Sequence, residues 1–220
     1  MMPRFTLQKP GLLLGEGRDE VEFFSALLGE IGIADAVQVL DYGGVSKLAS
    51  FLSELSRLPG FDGVRTIAIT RDADENVASA KTSLEQAIAS SPLAKLVAGH
   101  FILPNNEDPG ALEALWLASM EKSPFAPCVD DFFRCIESRG WSPSQVFAKN
   151  DKARTQLFIA TRDIPNERFG LAAWHGRKET DKPWMAEKWI DFDHPVFTPL
   201  KKFIQDVFIP PQGDRNPYHD

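Results

Sequence analysis

Seven carboxylates in this chain stand where strands are expected to end: Glu16, Asp41, Asp72, Asp74, Glu107, Asp108 and Glu113. Asp72 and Asp74 follow the β-branched, apolar run Thr66-Ile67-Ala68-Ile69-Thr70, and two acids spaced i and i+2 can present oxygens to one hard cation. Acids gathered without a cation raise one another's pKa values and destabilise the fold, whereas a divalent metal removes that conflict. An oxygen-only ligand set selects Mg²⁺ or Mn²⁺ over Zn²⁺, which prefers His and Cys. The histidines, His100, His175, His194 and His219, are too scattered to suggest a second kind of metal site. Acids also cap helices and solvate loops, and that account is preferred for Asp19, Glu22 and Glu75. For Glu16 with Asp72 and Asp74, which share one predicted sheet edge, the cation account is preferred.

The elements that must position these acids follow from the apolar pattern. Gly11–Gly15 reads as a short buried strand, with Glu16 at the turn into a helix capped by Asp19 with Glu22 three residues on. Ala36–Asp41 reads as a second strand ended by Tyr42-Gly43-Gly44, and Ser46 as the N-cap of a helix carrying Leu48, Phe51, Leu52 and Leu55. After the strand through Ile69 comes a helix from about Val77 to Ala89. A fourth strand near His100–Leu103 precedes a helix carrying Leu112, Leu115, Trp116 and Met120. The alternation of strands and helices predicts a doubly wound α/β core with a mainly parallel sheet over residues 1–122. In such a sheet, ligands bind at the carboxyl ends of the strands.

Beyond Ser123-Pro124 the pattern becomes helical, with segments around Phe132–Ile136, Lys152–Ala160 and Phe197–Phe208. Residues 123–220 are read as an aromatic-rich extension packed on the core, with Trp141, Trp174, Trp184 and Trp189 serving packing. Trp174-His175-Gly176-Arg177-Lys178 reads as a solvated loop, although it has the makings of a phosphate contact.

Composition narrows the function classes. The chain has 220 residues, a formal net charge of −7 and 43% hydrophobic residues. Its pI is near 5.2, so no global field draws a polyanion and any nucleic-acid partner requires metal ions or a local basic patch. Cys128 and Cys135 are not at redox or zinc spacing and read as buried thiols. No run approaches the ~20 apolar residues of a membrane span, and no signal peptide is legible, so a cytoplasmic location is expected.

Leu14-Gly15-Glu16-Gly17 at a strand end, with Asp72-Ala73-Asp74 after a later strand, resembles the TOPRIM domain. Glu16–Phe24, Arg71–Asn76 and Pro109-Gly110-Ala111-Leu112-Glu113 look most like short, stand-alone bacterial TOPRIM-like proteins related to OLD-family nucleases. The resemblance implies a TOPRIM-like, Rossmann-like fold and metal-dependent phosphodiester hydrolysis of DNA or RNA. It implies Glu16 as general acid/base or ligand, Asp72 and Asp74 as Mg²⁺ ligands, and Glu20 and Glu113 as further ligands. Lys149 or Lys152 would neutralise developing phosphate charge. The chain carries neither a G-x-x-x-x-G-K-[ST] run nor a tyrosine placed as a topoisomerase nucleophile, so a separate partner such as an ATPase is expected to deliver substrate.

Two rival readings stand beside this one. Gly15-Glu16-Gly17 after a strand, with Asp41 ending the next, is compatible with dinucleotide binding, although Glu20 stands where the third glycine belongs. The chain is also compatible with a non-catalytic interaction module on the same scaffold.

Overall fold

A computed structural model of the chain describes residues 6–140, 147–160 and 190–209. Trp141, Trp174, Trp184, Trp189 and the Trp174–Lys178 patch lie outside these residues.

Leu12, Leu13 and Leu14 are fully buried because strand β1 (Gly11–Gly15) is central in the sheet and apolar clusters cover both of its faces. It pairs in parallel with β2 (Val37–Asp41) and with β3 (Thr66–Asp72), and β3 pairs in parallel with β4 (Val97–Leu103). The sheet order is β2-β1-β3-β4. The fold is therefore α/β with an all-parallel sheet, Rossmann-like and TOPRIM-like in arrangement, as the alternation of elements predicts. Strand β4 begins at Val97, three residues before the expected start.

Alternation along the strands feeds two cores. Leu13, Ala68, Phe101 and Leu103 face helix α1 (Arg18–Glu30), and the same apolar cluster takes in α4 (Leu112–Ser119), α5 (Ala126–Ser138), α6 (Phe147–Ala160) and α7 (Thr198–Phe208). Leu12, Leu14, Ile67, Ile69 and Ile102 face the opposite cluster, with α2 (Leu48–Leu55) and α3 (Val77–Ala89). The chain steps outward from β1 to β2 through α1 and returns across β1 to β3 through α2. Direction thus reverses between β1 and β3, the place where open α/β sheets form a ligand crevice.

Helices after residue 123 share the core of the sheet. Val129, Phe133, Phe158, Phe192, Phe197, Leu200 and Ile204 are buried in the α1-side cluster. Trp116 packs edge-on to Phe158, with ring centroids 5.4 Å apart. Gly99 lets α7 approach β4, since a Cβ there would lie 3.0 Å from the Phe203 ring and 3.2 Å from Val207.

Several local expectations need correction. Helix α1 starts at Arg18 with Gly17 as N-cap, so the Asp19–Glu22 box does not form. Instead, the Gly17 amide donates to the Glu20 carboxylate at 2.9 Å, and the helix starts two residues earlier than expected. Ser46 caps nothing: it lies within a 3₁₀ turn, Val45–Lys47, that leads into α2. Cys128 and Cys135 are exposed on α5, because Val129 and Phe133 take its core-facing positions.

Candidate metal centre

Glu16 leaves β1 in register with the end of β3. Leu14 is level with Ile69, so two residues on, Glu16 stands beside Arg71 and Asp72. Its backbone is held from the β2 side, where the Tyr42 amide donates to the Gly15 carbonyl at 3.0 Å and the Gly44 amide to the Glu16 carbonyl at 2.9 Å. The buried Tyr42 hydroxyl donates to the Thr70 carbonyl at 3.0 Å, and the Thr70 hydroxyl donates to the Leu14 carbonyl at 3.2 Å. These bonds lock three strand ends together beneath the acids.

Asp72 and Asp74 are fixed by the turn before α4. Asp74 adopts φ +51, a left-handed conformation that Asp tolerates, and exchanges two backbone hydrogen bonds of 2.8 Å with Gly110. Asp72 Oδ1 accepts the Leu112 amide at 3.1 Å, which brings Glu113, the second residue of α4, to the same edge. Glu113 is only 5% exposed and its Oε1 lies 3.6 Å from Lys152 Nζ on α6.

Glu20 reaches the site by folding back. It is 7% exposed, and its Cβ lies 2.6 Å from where a Gly15 side chain would begin. Glycine at 15 is therefore required for close approach. Glu16 precedes the helix, so the two acids meet through the turn and not along one helical face.

These groups line one cavity of about 670 Å³. Glu16, Glu20, Asp72, Asp74, Glu113 and Lys152 are all on its wall. Lys149 lies in α6, but its side chain is outside the described ones. Asp41 also lines the cavity, whereas Glu107 and Asp108 do not: Asn105 accepts their amides in an exposed turn. Arg18 and Asp19 line it as well, and sequence reasoning missed both by treating Asp19 as a cap. The available signal was Gly17, which as N-cap moves Arg18 and Asp19 into the first turn facing the crevice.

Crowding shifts these carboxyls upward. Burial, then Glu20, Glu113, Glu16 and Asp74 in turn, hold Asp72 well above the ordinary carboxylate range. Burial raises Glu20 to about 7, with Glu16 and Glu113 adding to the effect against the backbone amides. Burial and then the Asp74 charge raise Glu16, opposed by Arg71 and by the backbone amides of Asp72 and Val45. Burial raises Glu113, opposed by its own backbone amide and then by Lys152.

The donor set fits a hard divalent cation. Glu16 Oε2 is buried with no hydrogen-bond partner, and an orphaned carboxylate oxygen beside four other acids is an acceptor awaiting a positive charge. Among the described residues, no three Asp, Glu, His or Cys side chains already converge as a finished metal cage. Ligation by this set therefore requires side-chain movement toward the ion. No helix among the described residues is long and apolar enough to cross a membrane.

No curated protein and no solved structure matches the chain. The family model described as "Protein of unknown function (DUF3226)" matches residues 10–209, from β1 through α7, and the chain belongs to that family.

Proposed function

We propose that this protein is a Mg²⁺- or Mn²⁺-dependent phosphodiesterase acting on nucleic acid. The observation that carries the reading is the gathering of five acids from three separate chain segments around one cavity, with Glu16 Oε2 buried and unpartnered. Glu16, Asp72 and Asp74 would hold the cation, with Glu20 and Glu113 completing its surroundings. A bound divalent ion supplies a Lewis acid that generates a water nucleophile and offsets charge on the phosphoryl oxygens.

The remaining groups have roles of their own. Glu20, whose carboxyl binds a proton up to about pH 7, exchanges that proton near neutrality, which suits a group that yields to a cation or accepts a proton. Glu113 orients the Lys152 ammonium at 3.6 Å, and Lys152 meets the phosphate charge that grows during displacement. The dinucleotide reading loses support because the Gly17 amide, where a pyrophosphate would dock, already donates to Glu20.

The test is incubation of purified protein with single- and double-stranded DNA, RNA and bis-p-nitrophenyl phosphate, with Mn²⁺ or Mg²⁺ against EDTA. Cation-dependent cleavage that disappears in Asp72→Asn is expected. No cleavage of any of these, together with no Mn²⁺-induced rise in Tm, sinks the proposal and leaves the interaction-module reading.

A further inference from the structure

Helix α5 carries two stripes of side chains, and only one of them meets the core. Val129 and Phe133 are buried, and α6 grips them from outside: Arg154 pairs with Asp130 and lies 4.6 Å from the centroid of the Phe133 ring. The second stripe runs through the N-cap Phe125, then Cys128, Phe132, Cys135 and the C-cap Arg139, and all five are exposed. Phe125 and Phe132 are 46% and 47% exposed, two of the four large apolar side chains left in that state among the described residues. Phe132 is held there by buried Phe133, edge to face with ring centroids 5.6 Å apart.

The stripe has the alternating three- and four-residue spacing by which one helix packs along another. It is also a palindrome. Turned end for end about Asp130, it sets Phe125 level with Cys135 and Phe132 level with Cys128. A second copy lying antiparallel therefore meets each phenyl ring with a small thiol, large against small along the whole seam. A parallel copy would oppose ring to ring and thiol to thiol, leaving crowding at some levels and gaps at others.

The charges at the two ends favour the same arrangement. Glu121 and Lys122 stand in the turn before the helix, Glu137 and Arg139 at its close, and all four are exposed. Among the described residues none of the four has an ion-pair partner, whereas Asp130, Asp131 and Arg134 are already paired. Reversal about Asp130 brings Glu121 beside the partner's Arg139 and Lys122 beside the partner's Glu137. Parallel copies would set like charge against like.

We infer that α5 is a dimerisation surface whose partner is a second copy of this chain, docked antiparallel across a two-fold axis. No residue of α5 lines the acidic cavity, so the inference stands independently of the phosphodiesterase reading. A single helix pair buries less than the interface of a permanent dimer, which makes the association reversible and of micromolar strength.

The test is sedimentation velocity of the full chain with reductant present, so that no disulfide contributes. Protein is taken from about 1 to about 200 μM in about 0.15 M salt, which screens the repulsion between two chains of net charge −7. The wild type is expected to pass from monomer to dimer over this range. Phe132→Ser should raise the dimer Kd about tenfold or more and leave the circular dichroism spectrum unchanged, since the ring lies largely outside the core. Glu121→Arg and Arg139→Glu should each weaken association, and the two together should restore it. A wild type that stays monomeric throughout overturns the inference and leaves the stripe to a helix of another protein. A dimer whose Kd is unmoved by Phe132→Ser uses a different face and overturns it equally. A double reversal that binds no tighter than either single one overturns the antiparallel pairing.

Discussion

Replacing Glu20 with Gln should make the metal-free protein more stable at neutral and alkaline pH, by an amount that grows with pH. In the folded chain the Glu20 carboxyl holds its proton to about pH 7, against an ordinary value of 4.5. Between those limits the folded state binds more protons than the unfolded state, so stability falls as pH rises. The contribution is fully present below 4.5 and is lost by the time pH has passed about 7. A shift from 4.5 to about 7 corresponds to roughly 3 kcal/mol, of which about 2.5 kcal/mol is lost between pH 5 and pH 8. The side chain is 7% exposed, so solvent screening takes little from this figure.

Glutamine keeps a carbonyl oxygen to accept the Gly17 amide and cannot ionise. Near pH 4.5 Glu20→Gln should therefore match the wild type. At pH 8 it should exceed it by about 2–3 kcal/mol, or roughly 5–10 °C in Tm for a chain of this size. The Glu20 charge is the first of those that raise Asp72, so its removal also relieves the neighbours and adds to the gain. Thermal unfolding in EDTA at half-unit pH steps measures the difference, and comparison with the wild type cancels every unrelated titration. With excess Mn²⁺ the wild type should regain more Tm than the variant does. A difference that stays constant with pH, or a variant less stable than the wild type at pH 8, refutes the electrostatic account of the site.

Asp72→Asn keeps the oxygen that accepts the Leu112 amide, so the chain should stay folded, gain stability above neutral pH in EDTA, and lose its Mn²⁺-induced rise in Tm. Lys152→Met strands Glu113 without its cation; stability should fall by about 1 kcal/mol near pH 8 and recover toward pH 5, as urea unfolding at the two pH values will show. Gly99→Val drives a side chain into Phe203 and Val207, and a loss of about 1–3 kcal/mol is expected from urea unfolding with Mn²⁺ binding retained, since the site lies elsewhere.

The sheet was legible because its signals are contiguous. Gly11–Gly15 and Thr66–Thr70 are unbroken apolar or β-branched runs, and a central parallel strand buried on both faces has that composition. Glu16 with Asp72 and Asp74 followed from those strand ends, and they do line one cavity. Less legible was whatever depended on the exact start of a helix. Gly17 carries no side chain with which to announce a cap, so Asp19 looked like the first capping residue, and its place on the cavity wall was missed together with that of Arg18. The exposure of Cys128 and Cys135 was also hidden, because α5 places its apolar residues on two adjoining stripes and only one of them meets the core.

The site also explains why so much apolar burial lies directly beneath it. Leu12, Leu13 and Leu14 are fully enclosed, and at about 1.5–3 kcal/mol for each buried leucine they supply roughly 5–9 kcal/mol to the strand that carries Glu16. Phe23 and Phe24, also fully buried and 5.3 Å apart edge to face, anchor the helix that carries Glu20. Against the roughly 3 kcal/mol that ionising Glu20 opposes, this anchoring is ample. The scaffold is therefore held by packing, and the proposed cation would relieve the acids without being needed to build the sheet. That separates this protein from small metal-folded domains, which unfold when the ion is removed. In EDTA at pH 8 its unfolding should remain cooperative, at a lower Tm than with Mn²⁺, and a molten far-from-cooperative transition there would place the cation in the folding nucleus instead.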